Sequence, residues 1–132
     1  MNCNIFQISI VVDDYDKAIA FYTEKLNFDL IEDTVLSPVK RWVRVKPKGL
    51  TNFALLLAKA KNEEEHSRIG NQTGGRVFLF MHTDDLDRDH KNLLANNIKI
   101  VREPTVEEFG KVLVFADCFG NLWDLIQLNK KQ

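Results

Sequence analysis

The 132-residue chain contains one pattern twice, and this internal duplication limits its fold more than any other feature of the sequence. The first copy, residues 8–34, reads ISIVVDDYDKAIAFYTEKLNFDLIEDT, and the second, residues 79–105, reads LFMHTDDLDRDHKNLLANNIKIVREPT. Each copy runs from an apolar segment through two adjacent aspartates into a helical pattern, and then into a second apolar segment. The pattern therefore predicts a strand–helix–strand unit that occurs once in each half of the chain.

Both halves continue with two further apolar segments that are joined by a turn. These segments predict two β-hairpins, formed by residues 41–45 with 51–58 and by residues 111–116 with 121–128. Each half thus reads β-α-β-β-β, and one such half cannot close its own sheet. The sequence predicts an α+β protein in which the two repeats form one curved mixed sheet around a cleft, with the helices outside. A small molecule would bind in this cleft.

Local residue preferences place the ends of the predicted elements. One aspartate of each pair, at 13–14 and at 84–85, is expected to cap the helix that follows. The stripes expected to face the core are Tyr15, Ile19, Tyr22 and Leu26 in the first helix and Leu86, His90, Leu93 and Leu94 in the second. The strands after the helices are expected over residues 28–31 and 98–101, the second one ending at Pro104.

A single domain is expected over residues 1–132, with repeat one at 5–58, a linker at 59–76 and repeat two at 77–128. The linker assignment depends on the polar composition of that segment and on the glycine pair that ends it. A chain of this length can bury about two-thirds of the surface that it exposes when unfolded.

The charge balance gives no reason to expect a polyanionic partner. Eighteen basic and 19 acidic residues leave a formal net charge of -1, so neither nucleic acid nor an anionic membrane is expected to bind. The apolar runs are too short for a membrane span, and the first residues lack the basic and apolar regions of a secretion signal. Cys3 and Cys118 have no metal or redox spacing. They are expected as lone buried thiols of a cytoplasmic protein.

Several short motifs, in the order in which they occur, resemble the vicinal oxygen chelate superfamily, which includes glyoxalase I, bleomycin-resistance proteins, extradiol dioxygenases and fosfomycin-resistance enzymes. The motifs are Phe21-Tyr22 before Leu26-Asn27-Phe28, then Asp84-Asp85-Leu86-Asp87, and finally Asp117-x-x-Gly120-Asn121-x-x-Asp124-Leu125. The resemblance spans essentially the whole chain. It implies the same α+β fold and a homodimer, but not one function, because the fold hosts unrelated chemistries.

The resemblance also implies a divalent metal, held by His, Glu or Gln at four strand positions. At these positions the chain offers Gln7 and Asp124, whereas Phe78 occupies the second copy's equivalent of Gln7. Residues 51–58, TNFALLLA, contain no carboxylate, imidazole or thiolate. His82 lies four residues beyond Phe78, roughly 13 Å along a strand, which is too far for the same ion. Because catalytic metal sites usually keep three protein ligands, no metal cofactor is expected; if one binds, Gln7 and Asp124 are its ligands.

The cleft is instead expected to be lined by aromatic and polar side chains, namely Gln7, Trp42, Arg44, Phe78, Phe80, His82 and Asp124. Two of these have a second interpretation: Trp42 either lines the cleft or fills the core, and His82 is either a polar ligand contact or a proton carrier. A buried Asp124 needs a partner. That partner is a core residue, or Arg41, Arg44, His82, or a cationic ligand.

Three functions are consistent with this pattern. The first is a metal-free protein that binds a small, partly apolar molecule, in the manner of bleomycin-resistance proteins, and it is favoured because two of the four metal-ligand positions lack a ligand. The second is a metal-dependent lyase, isomerase or dioxygenase with an atypical site. The third is an interaction or regulatory module with a vestigial cleft. No residue is assigned a catalytic role, since no nucleophile arrangement is recognisable.

Overall fold

A computed structural model describes residues 1–130 of the chain. The first half contains β1 (Gln7–Val12), α1 (Tyr15–Ala20), a π-helical turn (Phe21–Lys25), β2 (Asp29–Ser37), β3 (Lys40–Lys46) and β4 (Ala54–Lys59). A short helix, α2 (Glu63–Ser67), follows. The second half contains β5 (Leu79–His82), α3 (Leu86–Ala95), β6 (Ile100–Glu107), β7 (Gly110–Ala116) and β8 (Leu122–Leu128). The α+β class and the two β-α-β-β-β repeats are therefore confirmed.

Each repeat builds a four-stranded mixed sheet, in the orders β1-β4-β3-β2 and β5-β8-β7-β6. The first strand of each repeat runs parallel to the last, and the remaining pairs are antiparallel. The sequence predicts one curved sheet, whereas the hydrogen bonds among residues 1–130 group the strands into one sheet per repeat. The chain divides into two compact units, Met1–Ile69 and a second unit from Gly70 onward.

In the first unit, α1 packs on the apolar face of its sheet. Asp14 caps the helix by accepting a hydrogen bond from the backbone N–H of Lys17 at 2.8 Å, which identifies the capping residue of the first aspartate pair. The π-helical turn then brings the consecutive rings of Phe21 and Tyr22 into the core. A π-helical turn has a longer repeat than an α-helix and changes which residues face inward. As a result Leu26, predicted in the buried stripe, is only half-buried.

In the second unit, Asp85 caps α3 by accepting from the backbone N–H of Arg88 at 3.0 Å. Leu86 and Leu93 are buried as predicted, and His90 is half-buried. The prediction is wrong for Leu94, which is exposed. It follows Leu93 by one position, about 100° around a helix whose core-facing side is already filled.

Strand β6 continues through Pro104, where the sequence predicted its end. Arg102 pairs with Val114 and Thr105 pairs with Val112, so the register shifts where the proline lies. Because β6 is an edge strand, the missing N–H of a proline at such an irregularity breaks no necessary ladder bond. The other strand that follows a helix, β2, likewise extends to Ser37, well beyond the predicted residue 31.

The segment predicted as a linker is not entirely irregular. It contains α2, which Asn62 caps by accepting from the backbone N–H of Glu65 at 2.8 Å. Neither Cys3 nor Cys118 forms a disulfide within residues 1–130, and both are exposed and not buried as predicted. Within residues 1–130, no helix is long and apolar enough to span a membrane.

Candidate functional site

The two faces of the first sheet have different roles. Val43 and Val45 are fully buried, and Arg41, on the same face, donates its backbone N–H to the Tyr15 hydroxyl of α1 at 3.2 Å. Side chains alternate along a strand. Trp42 and Arg44 therefore lie on the opposite face, and we call this the helix-free face of repeat one.

On the helix-free face of repeat one, Arg44 links β1 to β2. Its Nε donates to the Gln7 amide oxygen at 2.7 Å, and its Nη1 lies 3.6 Å from the Glu32 carboxylate. The guanidinium is thus partly neutralised, and the Gln7 amide oxygen is already used as an acceptor. Trp42, which pairs with Thr34 on β2, is half-buried.

A pocket of about 460 Å³ opens on this unit. It is lined by Asn4, Phe6, Ile31, Arg44, Lys46, Asn52 and Phe53. Lys46 lies 3.4 Å from the Asp29 carboxylate, and Lys48 lies 2.7 Å from it. These lysines, Lys48 foremost, lower the pKa of Asp29. Both cations of this pocket, Arg44 and Lys46, therefore have a carboxylate partner.

The helix-free face of repeat two is defined in the same way, because α3 packs on the other side, where the backbone N–H of Leu86 donates to the Gln127 side chain at 2.8 Å. One cross-strand row of this face, in order across the sheet, is Phe80, Asp124, Val114 and Arg102. The Asp124 Oδ1 is buried and has no hydrogen-bond partner among the described residues. Burial raises the pKa of Asp124, and the Arg102 charge opposes that rise. The row thus places an unsatisfied carboxylate oxygen within electrostatic reach of a guanidinium.

A pocket of about 430 Å³ lies on this unit. It is lined by Gly75, Arg76, Val77, Phe80, Val101, Arg102, Val114 and Leu122. Phe78 lines a smaller neighbouring pocket of about 170 Å³ with Asn121 and Leu122 among others. His82 pairs with Ile126 at the end of β5 and is exposed.

Strand register shows that the two larger pockets occupy equivalent places in the repeats. Ser9 pairs with Leu56 as Phe80 pairs with Asp124, so an apolar residue in repeat one stands where repeat two has its acid. Further along these two cross-strand rows, Arg44 of repeat one corresponds to Val114 of repeat two, and Glu32 corresponds to Arg102. The two pockets therefore lie at equivalent positions, while the charged residues around them differ between the two repeats.

The structure brings together only some of the predicted cleft residues. Gln7 contacts Arg44, and Phe80 pairs with Asp124. Arg41, proposed as a partner for Asp124, is bound by Asp33 at 2.7 Å and Asp16 at 2.9 Å, and Arg44 is bound by Gln7 and Glu32. Ligand binding by the predicted cleft residues stays a prediction.

Arg102 is the residue that sequence reasoning missed, and it is the nearby cation that acts on Asp124. It was missed because the strand was expected to stop at residue 101. The signal was present in the duplication, which aligns the polar residue at 102 with Glu32 on the equivalent strand.

The donor set does not fit the metal site that the resemblance implies. Among residues 1–130, no group of three or more His, Cys, Asp or Glu side chains is placed to hold an ion. The amide oxygen of Gln7 faces the guanidinium of Arg44 at 2.7 Å. A divalent cation at that oxygen would be repelled by a fixed positive charge at close range.

Comparison with known proteins agrees with this architecture. An uncharacterised protein of Shewanella frigidimarina (strain NCIMB 400) is 54% identical over 133 residues, which cover 100% of this chain and 98% of the relative. The crystal structure of UcmS2 superposes with a TM-score of 0.84 at 29% identity, covering 96% of this chain and 98% of that one. TnmS3, an antibiotic binding protein from Streptomyces sp. CB03234, gives a TM-score of 0.77 at 28% identity, with 97% and 98% covered.

The family assignment comes from the sequence profile of one superfamily, which matches residues 4–125, most of the chain. The chain belongs to the Glyoxalase/Bleomycin resistance protein/Dioxygenase superfamily.

Proposed function

We propose that the protein binds a small, partly apolar molecule in its predicted cleft and does so without the catalytic metal of many superfamily members. The observation that carries the proposal is the contact between Arg44 and Gln7. A guanidinium 2.7 Å from the amide oxygen occupies the only metal-ligand position that repeat one offers. The equivalent of Asp124 in that repeat is Leu56, which cannot coordinate an ion.

The pockets favour binding over chemistry at a metal. The pocket of repeat two has mostly apolar walls and two arginines, as expected for a small-molecule site. The pocket of repeat one is more polar, since four of its seven lining residues are polar or charged. The similarity to TnmS3, an antibiotic binding protein, supports the same class of function. A cytoplasmic location and a homodimer complete the proposal, the homodimer by resemblance to the superfamily.

Metal uptake tests the metal-free part. The purified protein is equilibrated separately with nickel, zinc, manganese and iron(II), passed over a desalting column, and analysed for retained metal. We expect well under one equivalent of every ion. Stoichiometric uptake that Asp124→Ala abolishes would contradict the proposal and favour a metal-dependent lyase, isomerase or dioxygenase.

Binding of a neutral apolar probe tests the ligand-binding part. N-phenyl-1-naphthylamine fluoresces when it enters an apolar site, and it is titrated into the protein in the presence of EDTA. We expect saturable binding that Phe80→Ala weakens, because Phe80 is exposed and lines the pocket of repeat two. Leu94→Ala, which removes an exposed apolar side chain from α3, is the matched control. Absence of saturable binding would favour the vestigial interaction module.

A further inference from the structure

We propose that the pocket of repeat two prefers apolar molecules that carry an anionic group, with Arg76 and Arg102 holding the anion. This inference rests on the proposed ligand-binding function and names the chemical class of its ligand.

Arg76 and Arg102 both line the pocket, and neither forms an ion pair with a carboxylate within 4 Å among the described residues. Three other arginines are engaged by carboxylates: Arg41 binds Asp16 and Asp33, Arg44 lies near Glu32, and Arg88 binds Asp84 and Asp89. A guanidinium that faces a pocket without a protein acid is available to a carboxylate or sulfonate of a ligand, which it can bind through two parallel hydrogen bonds.

Asp124 does not cancel this preference. The pocket region contains two guanidinium groups against one carboxylate, so its net charge is positive even when Asp124 is ionised. Desolvation raises the pKa of Asp124, which further disfavours its negative charge. Its Oδ1 is buried without a hydrogen-bond partner among residues 1–130, and Asp124 is not one of the residues that line the pocket.

The rest of the pocket wall is apolar. Val77, Val101, Val114 and Leu122 line it together with Phe80, a residue that is 68% exposed. An exposed aromatic ring beside unpaired arginines suits a ligand with an aromatic or aliphatic body and an anionic end. An inorganic anion alone would leave this apolar surface uncovered.

The equivalent pocket of repeat one lacks the same preference. There Arg44 is paired with Glu32 and Lys46 with Asp29, so an incoming anion would have to displace a protein carboxylate. The anion preference therefore belongs to repeat two, and variants in that repeat test it.

Two probes with one ring system separate charge from apolar contact. The anionic probe 1-anilinonaphthalene-8-sulfonate and the neutral N-phenyl-1-naphthylamine differ by the sulfonate, and both are titrated by fluorescence in EDTA. We expect the wild-type protein to bind the anion about tenfold more tightly at low ionic strength, because a charge-assisted bidentate contact adds to the apolar one. Raising the salt concentration should narrow this difference, since the arginines are exposed.

Charge removal locates the site. Arg76→Gln and Arg102→Gln should each lower the affinity for the anionic probe about fivefold and leave the affinity for the neutral probe unchanged. Arg68→Gln, which removes an exposed guanidinium at the end of α2, should change neither affinity. Circular dichroism verifies that the variants are folded.

The outcomes distinguish this inference from the proposed function. The anion preference would be overturned, without affecting the proposed function, by either of two results. One is an equal affinity of the wild type for the two probes, and the other is an equal loss of affinity for the anionic probe in all three arginine variants. If neither probe binds saturably, the proposed ligand-binding function fails and the anion preference fails with it.

Discussion

At the scale of single residues, Asp124 has an unusual environment for an acid. It lies between Phe80 and Val114 in its cross-strand row, and its Oδ1 is buried without a hydrogen-bond partner among the described residues. Burial raises its pKa, although the Arg102 charge acts in the opposite direction. A carboxyl group with a raised pKa in the folded state keeps its proton over a pH range in which the unfolded chain has lost it. The free energy of unfolding therefore falls as the pH rises through that range, and the cost persists at pH 7.

Asp124→Asn should remove this cost. We expect the variant to be more stable than the wild type at pH 7 by less than about 1 kcal/mol, a small effect because the side chain is partly solvated. The advantage should shrink at pH 3, where the wild-type carboxyl group is protonated in both states. Urea unfolding at the two pH values measures the difference.

The control for this prediction is Glu24→Gln, which removes an exposed carboxylate from the π-helical turn. It should change the free energy of unfolding by less than about 0.5 kcal/mol at either pH. A variant Asp124→Asn that is less stable than the wild type at pH 7 would mean that the ionised carboxylate makes a favourable interaction in the folded protein.

Gly110 is required by backbone geometry. It begins β7 with a φ of 149°, and a Cβ atom at this position would overlap the backbone carbonyl of Gln127 on β8. Gly110→Ala should therefore cost about 2–3 kcal/mol of stability, since two backbone segments of one hairpin must separate. Gly49→Ala is the matched control, because nothing lies within 4 Å of its added methyl group. Equal urea midpoints for the two variants would refute this account.

At the scale of elements, the duplication provides an internal comparison of helix caps. In both repeats the second aspartate of the pair caps the helix: Asp14 bonds the N–H of Lys17, and Asp85 bonds that of Arg88. The first aspartates make exposed ion pairs instead, Asp13 with Lys17 and Asp84 with Arg88. The sequence predicted that one aspartate of each pair caps the helix, but it did not predict which one. The path of the chain into the helix decides that the second aspartate is the cap.

This difference predicts unequal effects of alanine in each pair. Asp14→Ala and Asp85→Ala should each cost about 1 kcal/mol, the usual value for an N-cap residue. Asp13→Ala and Asp84→Ala should cost less than about 0.5 kcal/mol, because exposed ion pairs contribute little. Chemical denaturation of the four variants measures this, and equal losses within either pair would show that capping is not the dominant role of the second aspartate.

At the scale of the whole molecule, both repeats expose apolar side chains at the equivalent β-hairpin. Val35 and Val39 lie where β2 turns into β3, and Val106 and Phe109 lie where β6 turns into β7; all four are exposed. Exposed apolar side chains in clusters are typical of association surfaces. We therefore predict that these side chains take part in the homodimer that the resemblance implies.

Sedimentation should therefore show a dimer at micromolar concentration. The double variant Val35→Glu, Val106→Glu should weaken dimerisation by at least about tenfold, because it would bury two unpaired charges. Leu94→Glu, at an exposed apolar position on α3, should not change it. A wild-type protein that stays monomeric over the accessible concentration range would contradict this prediction.

The sequence alone determined the local structure of this protein and its family. Residue periodicity and the two copies predicted the repeats, and short-range preferences predicted the last turn, where Asp117 accepts from the N–H groups of Phe119 and Asn121. Such features depend on residues a few positions apart, so they can be predicted from the sequence.

Only the tertiary structure decided which distant residues meet. The parallel pairing of β1 with β4 and of β5 with β8 put Ser9 beside Leu56 and Phe80 beside Asp124. The continuation of β6 past Pro104 put Arg102 in the row of Asp124, and the placement of β3 put Arg44 against Gln7. These contacts join strands that are far apart in the chain. Their register is set by hydrogen bonds and side-chain packing between neighbouring strands of each sheet. Residue periodicity along one strand does not predict that register.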